Sequence, residues 1–513
     1  MSSIQRSDSK DNEATKDFSK LLNDIFLDII IKNNIPFVLT DENHNIKNTI
    51  PLDILGEEEK RKLKEIAEKM FKGDSKKLEI VEKNIDKVNI LLLKAAEREG
   101  KNKAFNIKLV AAARLLFNLL DDISKKVKEG SKEINLYEAS SGNFAISLAY
   151  LLHEINNELK RRGIDVKIKL NIVISRSLPE GVKKALNEYN DSLNVIEINN
   201  DQLCPAPGLN QNAANGNISG IEYAKNLAKI KNGIYIGQYE NPSAVEAHKL
   251  VTAYSIEQGL KKHNLDSAKF AVITTFGTGA TALGLVKGLE NNESFSKLYV
   301  VFPENDQDVA GIRSKASVKG LSFYEQISDE AYRSKVDEVE VDAFKNGLLF
   351  EVVEKLGVGE STTLNIIALL NILANENIEA KNFVIIQHDT ASKYADFIKS
   401  LKSFVKNESK DNKLDLFLIH SNKVITNRTK AALMYISREL EVKINLIEFD
   451  PEKEDIKAIK KASYAVVMCA KGIRSSTIAM RLTKEGVKAK AYNAYGELVF
   501  NPDDKEELES LMR

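Results

Sequence analysis

Glu138-Ala139-Ser140-Ser141-Gly142-Asn143 is the stretch that decides the fold, because it joins an apolar strand to a long helical pattern. Residues 134–137 predict the end of the strand, and residues 144–160 carry apolar side chains at helical spacing. The turn offers hydroxyls, a backbone that a ligand can approach closely, and free helix N–H groups. Such a junction favours a carboxylate or a phosphate, although the same residues also serve as plain helix caps.

Strand and helix patterns alternate from residue 88 onward. Short apolar runs, typical of strands buried on both faces, occupy 88–93, 170–174, 195–198, 234–236, 271–275, 298–302 and 384–386. This alternation predicts an α/β fold with a largely parallel sheet. In such sheets ligands bind beyond the carboxyl ends of strands, where the stretch quoted above and Gly277-Thr278-Gly279-Ala280-Thr281 both lie.

Composition limits the class of protein. The 513 residues leave room for about three domains. Lys plus Arg and Asp plus Glu each number 74, and this balance argues against a general nucleic-acid binder or a polybasic membrane protein. The two cysteines lie far apart, the N-terminus lacks a signal-peptide pattern, and no run is long enough to span a membrane. We therefore expect a soluble cytoplasmic protein, and the six histidines show no metal-ligand spacing.

Three units follow one another along the chain. Residues 1–87 form an N-terminal extension of unknown role, partly disordered, with helices predicted at 18–32 and 56–70. Residues 88–406 form the main α/β domain, and a polar linker follows it. Residues 414–513 form a second, small α/β domain, with strands predicted at 414–419, 444–449, 465–468 and near Ala491.

Several motifs in order carry a family resemblance. Lys108 begins an Ala-rich helix and is preceded by Asn102-Lys103-Ala104-Phe105-Asn106-Ile107. Four further motifs follow in order: the stretch 138–143, Gln238-Tyr239-Glu240-Asn241-Pro242, the turn 277–281 and Gly359-Glu360-Ser361-Thr362. Over about residues 88–400 the chain resembles the cysteine synthase family, the β-replacement branch of fold type II pyridoxal-phosphate enzymes. The resemblance implies a pyridoxal 5'-phosphate cofactor, parallel sheets in two subdomains, an amino-acid substrate with a sulfur donor, and a homodimer.

The resemblance also implies roles for particular residues. Lys108 matches the lysine that binds the cofactor as a Schiff base. The implied cofactor-binding residues are Lys108, Asn143, Gly277, Thr278, Gly279, Ala280, Thr281 and Ser361. The implied substrate-binding residues are Ser140, Ser141, Gly142 and Gln238. The chain departs from the family at Lys103, Asn106 and Phe144, where Pro, Ser and Thr are usual, and these departures leave the substrate open.

A cysteine follows the predicted strand 465–468 in the small domain. Cys469 precedes a predicted helix N-terminus and Arg474, and these neighbours favour a nucleophilic thiolate. The segment Cys469-Ala470-Lys471-Gly472-Ile473-Arg474-Ser475 resembles the active loop of rhodanese domains. That resemblance implies a rhodanese-like domain in which Cys469, with Arg474, carries a persulfide. The alternative is that Cys469 is a buried structural cysteine. The other cysteine, Cys204, shows no basic neighbour in sequence, so we expect it to be non-catalytic.

Together the two resemblances suggest one reaction. We expect β-replacement on O-acetylserine or O-phosphoserine to make cysteine, with sulfur supplied by a Cys469 persulfide. A different β-replacement reaction or a dehydratase reaction stays open. A protein of another class also stays open: the central domain is catalytically inactive, and the protein is a persulfide carrier or sensor.

Overall fold

The computed structural model describes most of the chain. The described residues are 7–95, 103–140, 142–175, 180–198, 220–305, 307, 309, 311–419, 423–449, 464–469, 473–493, 496 and 498–502. Ser141 and Cys204 lie outside them.

Helices and strands alternate through these residues. The helices are α1 (Ser7–Lys32), α2 (Glu57–Met70), α3 (Ser75–Lys87), α4 (Lys108–Lys128), α5 (Asn143–Arg161), α6 (Glu180–Asn187), α7 (Gly220–Ile230), α8 (Pro242–Ala247), α9 (Tyr254–Lys262), α10 (Ala280–Leu289), α11 (Ser322–Ile327), α12 (Leu348–Leu356), α13 (Glu360–Leu373), α14 (Ala395–Glu408), α15 (Lys423–Glu439) and α16 (Ile473–Lys484). The strands are β1 (Phe37–Thr40), β2 (Asn45–Asn48), β3 (Leu52–Ile54), β4 (Asn89–Lys94), β5 (Glu133–Ala139), β6 (Lys167–Ser175), β7 (Leu193–Ile198), β8 (Ile234–Tyr235), β9 (Phe270–Thr275), β10 (Phe295–Pro303), β11 (Val336–Val341), β12 (Asn382–Gln387), β13 (Lys413–Ile419), β14 (Lys443–Phe449), β15 (Tyr464–Cys469), β16 (Lys488–Asn493) and β17 (Leu498–Phe500). A π-helical turn, His248–Ala253, links α8 to α9.

The central sheet has the strand order β11-β10-β9-β12-β4-β3, counted over the described residues. Its pairs are parallel from β11 to β4, and only β3 runs antiparallel. Alternate residues of β4 enter two different cores: Leu91 and Leu93 lie in one cluster, Ile90 and Leu92 in the other. The apolar run of this strand follows directly from burial on both faces.

A smaller sheet of order β7-β6-β5-β8 carries the stretch that opened the sequence. All its described pairs are parallel. Helix α5 begins at Asn143, directly after the carboxyl end of β5. The two sheets therefore form the two subdomains of an α/β fold.

The first 87 residues pack onto this fold. Strand β3 pairs with β4, and Leu22, Ile25 and Phe26 of α1 lie in the same apolar cluster as α4 and α5. Helix α1 begins at Ser7, well before residue 18, where the sequence pattern predicts its start. The predicted extension thus contributes a strand to the central sheet.

The C-terminal unit has its own sheet, with described strands in the order β14-β13-β15-β16-β17. The pairs are parallel except β16 with β17. One face of this sheet shares an apolar cluster with the central domain, which includes Leu416, Met468 and Tyr492 beside Leu401 and Phe404. The other face packs on α16. The C-terminal unit is therefore docked on the central domain through a common core.

The observed strands confirm the strand segments predicted from the sequence, with ends shifted by a few residues. The prediction missed β2 and the outer strands β3, β11 and β17. Strand β11 reads Val-Asp-Glu-Val-Glu-Val and is only partly buried, because it lies at a sheet edge. Among the helices that the structure describes, none is long and apolar enough to cross a membrane.

Candidate active site

Lys108 is the first residue of α4, as its sequence position predicts. Asn106 fixes the approach to this helix, because its Oδ1 accepts the Lys108 backbone N–H at 2.9 Å. The Asn106 Nδ2 donates to Ser147 Oγ on α5 at 3.0 Å and to the Ala104 carbonyl at 3.1 Å. Asn106, which stands where the resembling family has Ser, thus ties the lysine turn to the neighbouring helix.

The Lys108 amine faces the turn after β9. Its Nζ lies 3.4 Å from Thr278 Oγ1. Burial lowers the pKa of Lys108 from 10.5 to about 8, because a crowded, poorly solvated amine resists protonation. Such an amine is partly neutral near neutral pH, and only the neutral form attacks a carbonyl carbon.

The turn 277–281 has the shape of an anion cradle. A Cβ on Gly277 would lie 2.7 Å from the Gly311 carbonyl oxygen and 3.8 Å from Lys108 Nζ, so a side chain there would fill the space next to the amine. Gly279 has φ +92°, a conformation that glycine adopts without strain. Helix α10 starts at Ala280, with Thr278 and Thr281 hydroxyls at its N-terminus. These donors suit a phosphate group.

Two buried histidines lie around Lys108. His248 Nε2 lies 3.1 Å from Thr281 Oγ1, and its Nδ1 lies 2.9 Å from Thr252 Oγ1. His388 Nε2 lies 3.1 Å from Thr275 Oγ1. Burial, together with the nearby Lys108 charge, lowers the pKa of His388 to about 3 and holds that of His248 well below its usual value. Both imidazoles are therefore neutral around the amine.

Asn143 lies in a cluster of buried polar side chains. Its Nδ2 donates to Asp389 Oδ2 at 2.9 Å, and its Oδ1 accepts from Lys393 Nζ at 2.9 Å. Tyr394 donates its hydroxyl to the same Asp389 oxygen at 3.0 Å. Lys393 and Asp389 are fully buried, and Asp389 Oδ1 has no hydrogen-bond partner among the described residues. The amide orientation of Asn143 is therefore set by a carboxylate on one side and an ammonium on the other.

Ser361 is buried in the first turn of α13. The turn before it is tied to Asp389: the Gly359 N–H donates to the Asp389 carbonyl at 3.0 Å, and a Cβ on Gly359 would lie 1.7 Å from Asp389 Oδ1. The His388 N–H donates to Thr362 Oγ1 at 3.0 Å. The Ser361 turn and the Asn143 cluster are thus one connected structure.

Gln238 lies against the carboxyl end of β5, next to the quoted stretch. Its Nε2 donates to the Ala139 carbonyl at 2.7 Å, and its N–H donates to the buried Glu138 carboxyl at 2.9 Å. Burial raises the pKa of Glu138 to about 7. Ser140 Oγ accepts the Gly142 N–H at 3.1 Å, and Gly142 has φ +126° with a Cβ position 2.4 Å from Val182. The predicted substrate residues that the structure describes therefore lie together.

Cys469 lies apart from these residues, in the C-terminal sheet. It ends β15 and is only 2% exposed. The Ser475 N–H, in the first turn of α16, donates to Cys469 Sγ at 3.3 Å. The Ser475 hydroxyl donates to the Tyr492 carbonyl at 2.9 Å. Gly472 and the Arg474 side chain lie outside the described residues.

Some site residues escaped the sequence reasoning. His248, His388 and Lys393 stand at no spacing that marks a site. Arg313 is also missed: it is 3% exposed, its backbone N–H donates to the Phe276 carbonyl at 3.0 Å, and its Nη2 has no hydrogen-bond partner in the part of the chain that the structure describes. Of these residues, only His388 and Lys393 lie at a sequence signal: residues 389–394 resemble the closing Asp-Ser-Gly-x-x-Tyr motif of the cysteine synthase family.

The described residues fit a phosphorylated aldehyde cofactor. Lys108 supplies an amine of lowered pKa. The turn 277–281 supplies hydroxyls and a helix N-terminus, from which a phosphate would accept hydrogen bonds. The space beside Gly277 stays open only because that residue carries no side chain. Covalent attachment at one end and anion binding at the other are what such a cofactor requires.

Comparisons with known proteins find similar chains by sequence and by structure. A cysteine synthase from Buchnera aphidicola subsp. Schizaphis graminum (strain Sg) is 25% identical over 350 residues, which cover 64% of this chain and 93% of the relative. Among solved structures, an O-ureido-L-serine synthase has a TM-score of 0.44 at 16% identity, covering 60% of this chain and 86% of that one. A hydrogen sulfide-producing enzyme from Fusobacterium nucleatum has a TM-score of 0.43 at 20% identity, covering 60% of this chain and 92% of that one.

A family match covers more than half of the chain. The family described as pyridoxal-phosphate dependent enzyme matches residues 91–387, a range that contains Lys108, the turn 277–281 and the Ser361 turn. The chain therefore belongs to the family of pyridoxal-phosphate dependent enzymes, and pyridoxal 5'-phosphate is its cofactor.

Proposed function

We propose that the protein catalyses β-replacement on an activated serine, either O-acetylserine or O-phosphoserine, to make cysteine. One observation carries the proposal: the Lys108 amine, with a pKa near 8, lies 3.4 Å from the Thr278 hydroxyl in the turn after β9. The likeness in sequence to a protein named cysteine synthase supports sulfur as the incoming atom.

The residues of this chain have distinct tasks in that reaction. When bound, pyridoxal phosphate supplies the electron sink for a carbanion at the α-carbon of the amino acid. Thr278, Thr281 and the N-terminus of α10 hold the phosphate. Lys108 Nζ takes the α-proton, since a neutral amine is a competent base, and later returns it to the product. The neutral histidines keep a competing positive charge away from that proton.

The substrate carboxylate is assigned to the turn after β5. Ser140 and Gly142 present their polar groups there, and Gln238 lies beside them, hydrogen-bonded to Ala139. Phe144, where the resembling family has a threonine, is buried at 2% exposure and contributes no hydroxyl. That difference leaves another nucleophile or a dehydratase reaction as the alternative within the same cofactor chemistry.

The first test is the visible absorption spectrum of the purified protein beside Lys108→Ala, with and without O-acetylserine or O-phosphoserine. We expect a cofactor band in the wild type, an altered band in the variant, and a spectral change with one of the two substrates only. A sulfide-dependent yield of cysteine from that substrate identifies the reaction. A protein that stays colourless with added pyridoxal phosphate contradicts the proposal.

A second function is proposed for the C-terminal domain, on the observation that the Ser475 N–H donates to Cys469 Sγ. A backbone N–H at a helix N-terminus stabilises thiolate charge. Cys469 would take sulfane sulfur from thiosulfate, releasing sulfite and forming a persulfide. Two molecules of an added thiol would then release sulfide, restore the Cys469 thiol and leave as a disulfide. This would make the domain rhodanese-like in function.

The test separates sulfur supply from cysteine formation. We expect Cys469→Ser to abolish thiosulfate-driven cysteine formation and to leave sulfide-driven formation unchanged. Cys204→Ser, at the other cysteine of the chain, serves as the matched control and keeps both activities. Equal thiosulfate-driven rates in wild type and Cys469→Ser contradict the second function.

A further inference from the structure

An ion pair joins the C-terminal domain to the first residue of α13. Arg428, on α15, donates from Nη1 to Glu360 Oε2 at 2.8 Å, and its Nη2 contacts the other carboxylate oxygen. The Glu360 side chain is fully buried and that of Arg428 is 13% exposed. A bidentate guanidinium–carboxylate pair fixes both distance and orientation. The contact is therefore a directional link between the two domains.

The guanidinium is also held by aromatic rings. Arg428 Cζ lies 5.5 Å from the Phe350 ring centroid and 5.3 Å from that of Phe397, both in the central domain. Rings at this distance attract a cation and exclude water from it. Arg428 is thus enclosed by the central domain although its helix belongs to the C-terminal one.

Glu360 stands directly before Ser361 and directly after Gly359. Gly359 is bonded to the Asp389 carbonyl and packs against the Asp389 carboxylate, which in turn accepts the Asn143 amide at 2.9 Å. A continuous set of contacts therefore runs from Arg428 through the Ser361 turn to Asn143. Beyond Glu360, these contacts include two residues assigned to the cofactor, Ser361 and Asn143.

We infer that Arg428 is a positioning residue of the cofactor site: the C-terminal domain holds the Ser361 turn and, through Asp389, the Asn143 amide. The inference rests on the proposed assignment of Ser361 and Asn143 to the cofactor. A buried carboxylate needs hydrogen-bond donors, and Arg428 supplies two of them to Glu360, so loss of Arg428 weakens the hold on Glu360 and on the turn that it begins. The central domain is therefore incomplete without the domain that follows it.

Arg428→Met tests this in the full-length protein, with Arg438→Met as the matched control. Arg438 also lies on α15 and donates to a fully buried carboxylate of the central domain, Glu351, at 2.9 Å. Glu351 lies on α12, outside the Ser361 turn. Removing Arg438 therefore takes away another interdomain ion pair without releasing that turn, and Glu351 keeps Lys69 and Lys355 as partners.

The readouts are the dissociation constant of pyridoxal phosphate, by titration of the cofactor-free protein, and the fluorescence emission maximum of the bound cofactor. We expect Arg428→Met to weaken cofactor binding about tenfold, within the usual range of coupling between sites, and to shift the emission. Arg438→Met should leave both readouts at the wild-type values. Wild-type affinity and emission in Arg428→Met, or equal changes in the two variants, overturn the inference.

A double variant covers the case in which Arg428→Met does not fold. Glu360→Gln combined with Arg428→Met leaves no buried charge unpaired, so the fold is retained while the directional link is lost. We expect weakened cofactor binding here too, and wild-type binding overturns the inference. A wild-type protein that binds pyridoxal phosphate but does not convert either activated serine refutes the proposed function and leaves this inference standing.

Discussion

Replacing Lys108 with methionine should stabilise the cofactor-free protein while removing its function. The Lys108 pKa is about 8 in the folded protein and 10.5 in the unfolded chain. Between these two values the unfolded chain binds more protons, so the free energy of unfolding rises as the pH rises from about 8 to 10.5. Below about pH 8, burial of the charged amine therefore lowers the free energy of unfolding by the full cost of the pKa shift. Above about pH 10.5 this cost is zero.

The size of the effect follows from the same two values. One pKa unit corresponds to about 1.4 kcal/mol, so the fall from 10.5 to about 8 corresponds to about 3 kcal/mol. The contact that Lys108 loses is a 3.4 Å approach to Thr278, which is too long to offset this gain. Lys108→Met should thus raise the free energy of unfolding by about 3 kcal/mol at pH 7 and by about 1 kcal/mol at pH 10.

Guanidinium unfolding of cofactor-free protein at pH 7 and pH 10 measures this difference. Cofactor must be absent, because a ligand that binds only the folded state adds its own stabilisation. Lys125→Met is the control: Lys125 lies on the exposed side of the same helix, so its replacement should leave the free energy of unfolding close to that of the wild type. The reasoning is refuted if Lys108→Met is less stable than the wild type at pH 7, or if its free energy of unfolding differs from that of the wild type by the same amount at both pH values.

Two further predictions concern other parts of the molecule. Gly359→Ala should lower the free energy of unfolding by about 1–3 kcal/mol and weaken cofactor binding, because its Cβ would lie 1.7 Å from Asp389 Oδ1; denaturation and cofactor titration measure both. Thr281→Val should weaken pyridoxal phosphate binding about tenfold through loss of the hydroxyl beside His248, whereas Thr281→Ser should retain wild-type affinity.

The sequence predicted those parts of the site that are written in local patterns. Lys108 stands where a turn meets an Ala-rich helix, and the glycines at 277 and 279 stand between a buried strand and a helix. Apolar runs and glycine-bearing junctions carry their structural meaning within a few residues. These positions could therefore be read without knowing which parts of the chain meet in space.

The contacts that complete the site depend on residues distant in sequence. Arg428 and Glu360 are 68 residues apart, and Asn143 and Asp389 are 246 residues apart. A lone arginine or a lone histidine such as His248 has no periodicity that reveals its partner. Only the packing of the sheets brings these groups together, so the sequence alone could not predict the polar cluster or the interdomain ion pair.

The strand order of the central sheet also dictates when the site can assemble during synthesis. Strand β4 (Asn89–Lys94) has its parallel neighbour in β12 (Asn382–Gln387), so a nascent chain that ends before residue 382 leaves one side of β4 without that neighbour. The sheet β7-β6-β5-β8 has all its described strands between Glu133 and Tyr235, and it can close while the ribosome is still translating the rest. Long-range parallel pairing is slow to form and exposes apolar surface until it does. The larger sheet therefore completes late in translation, and Arg428 is synthesised only after all the strands of that sheet.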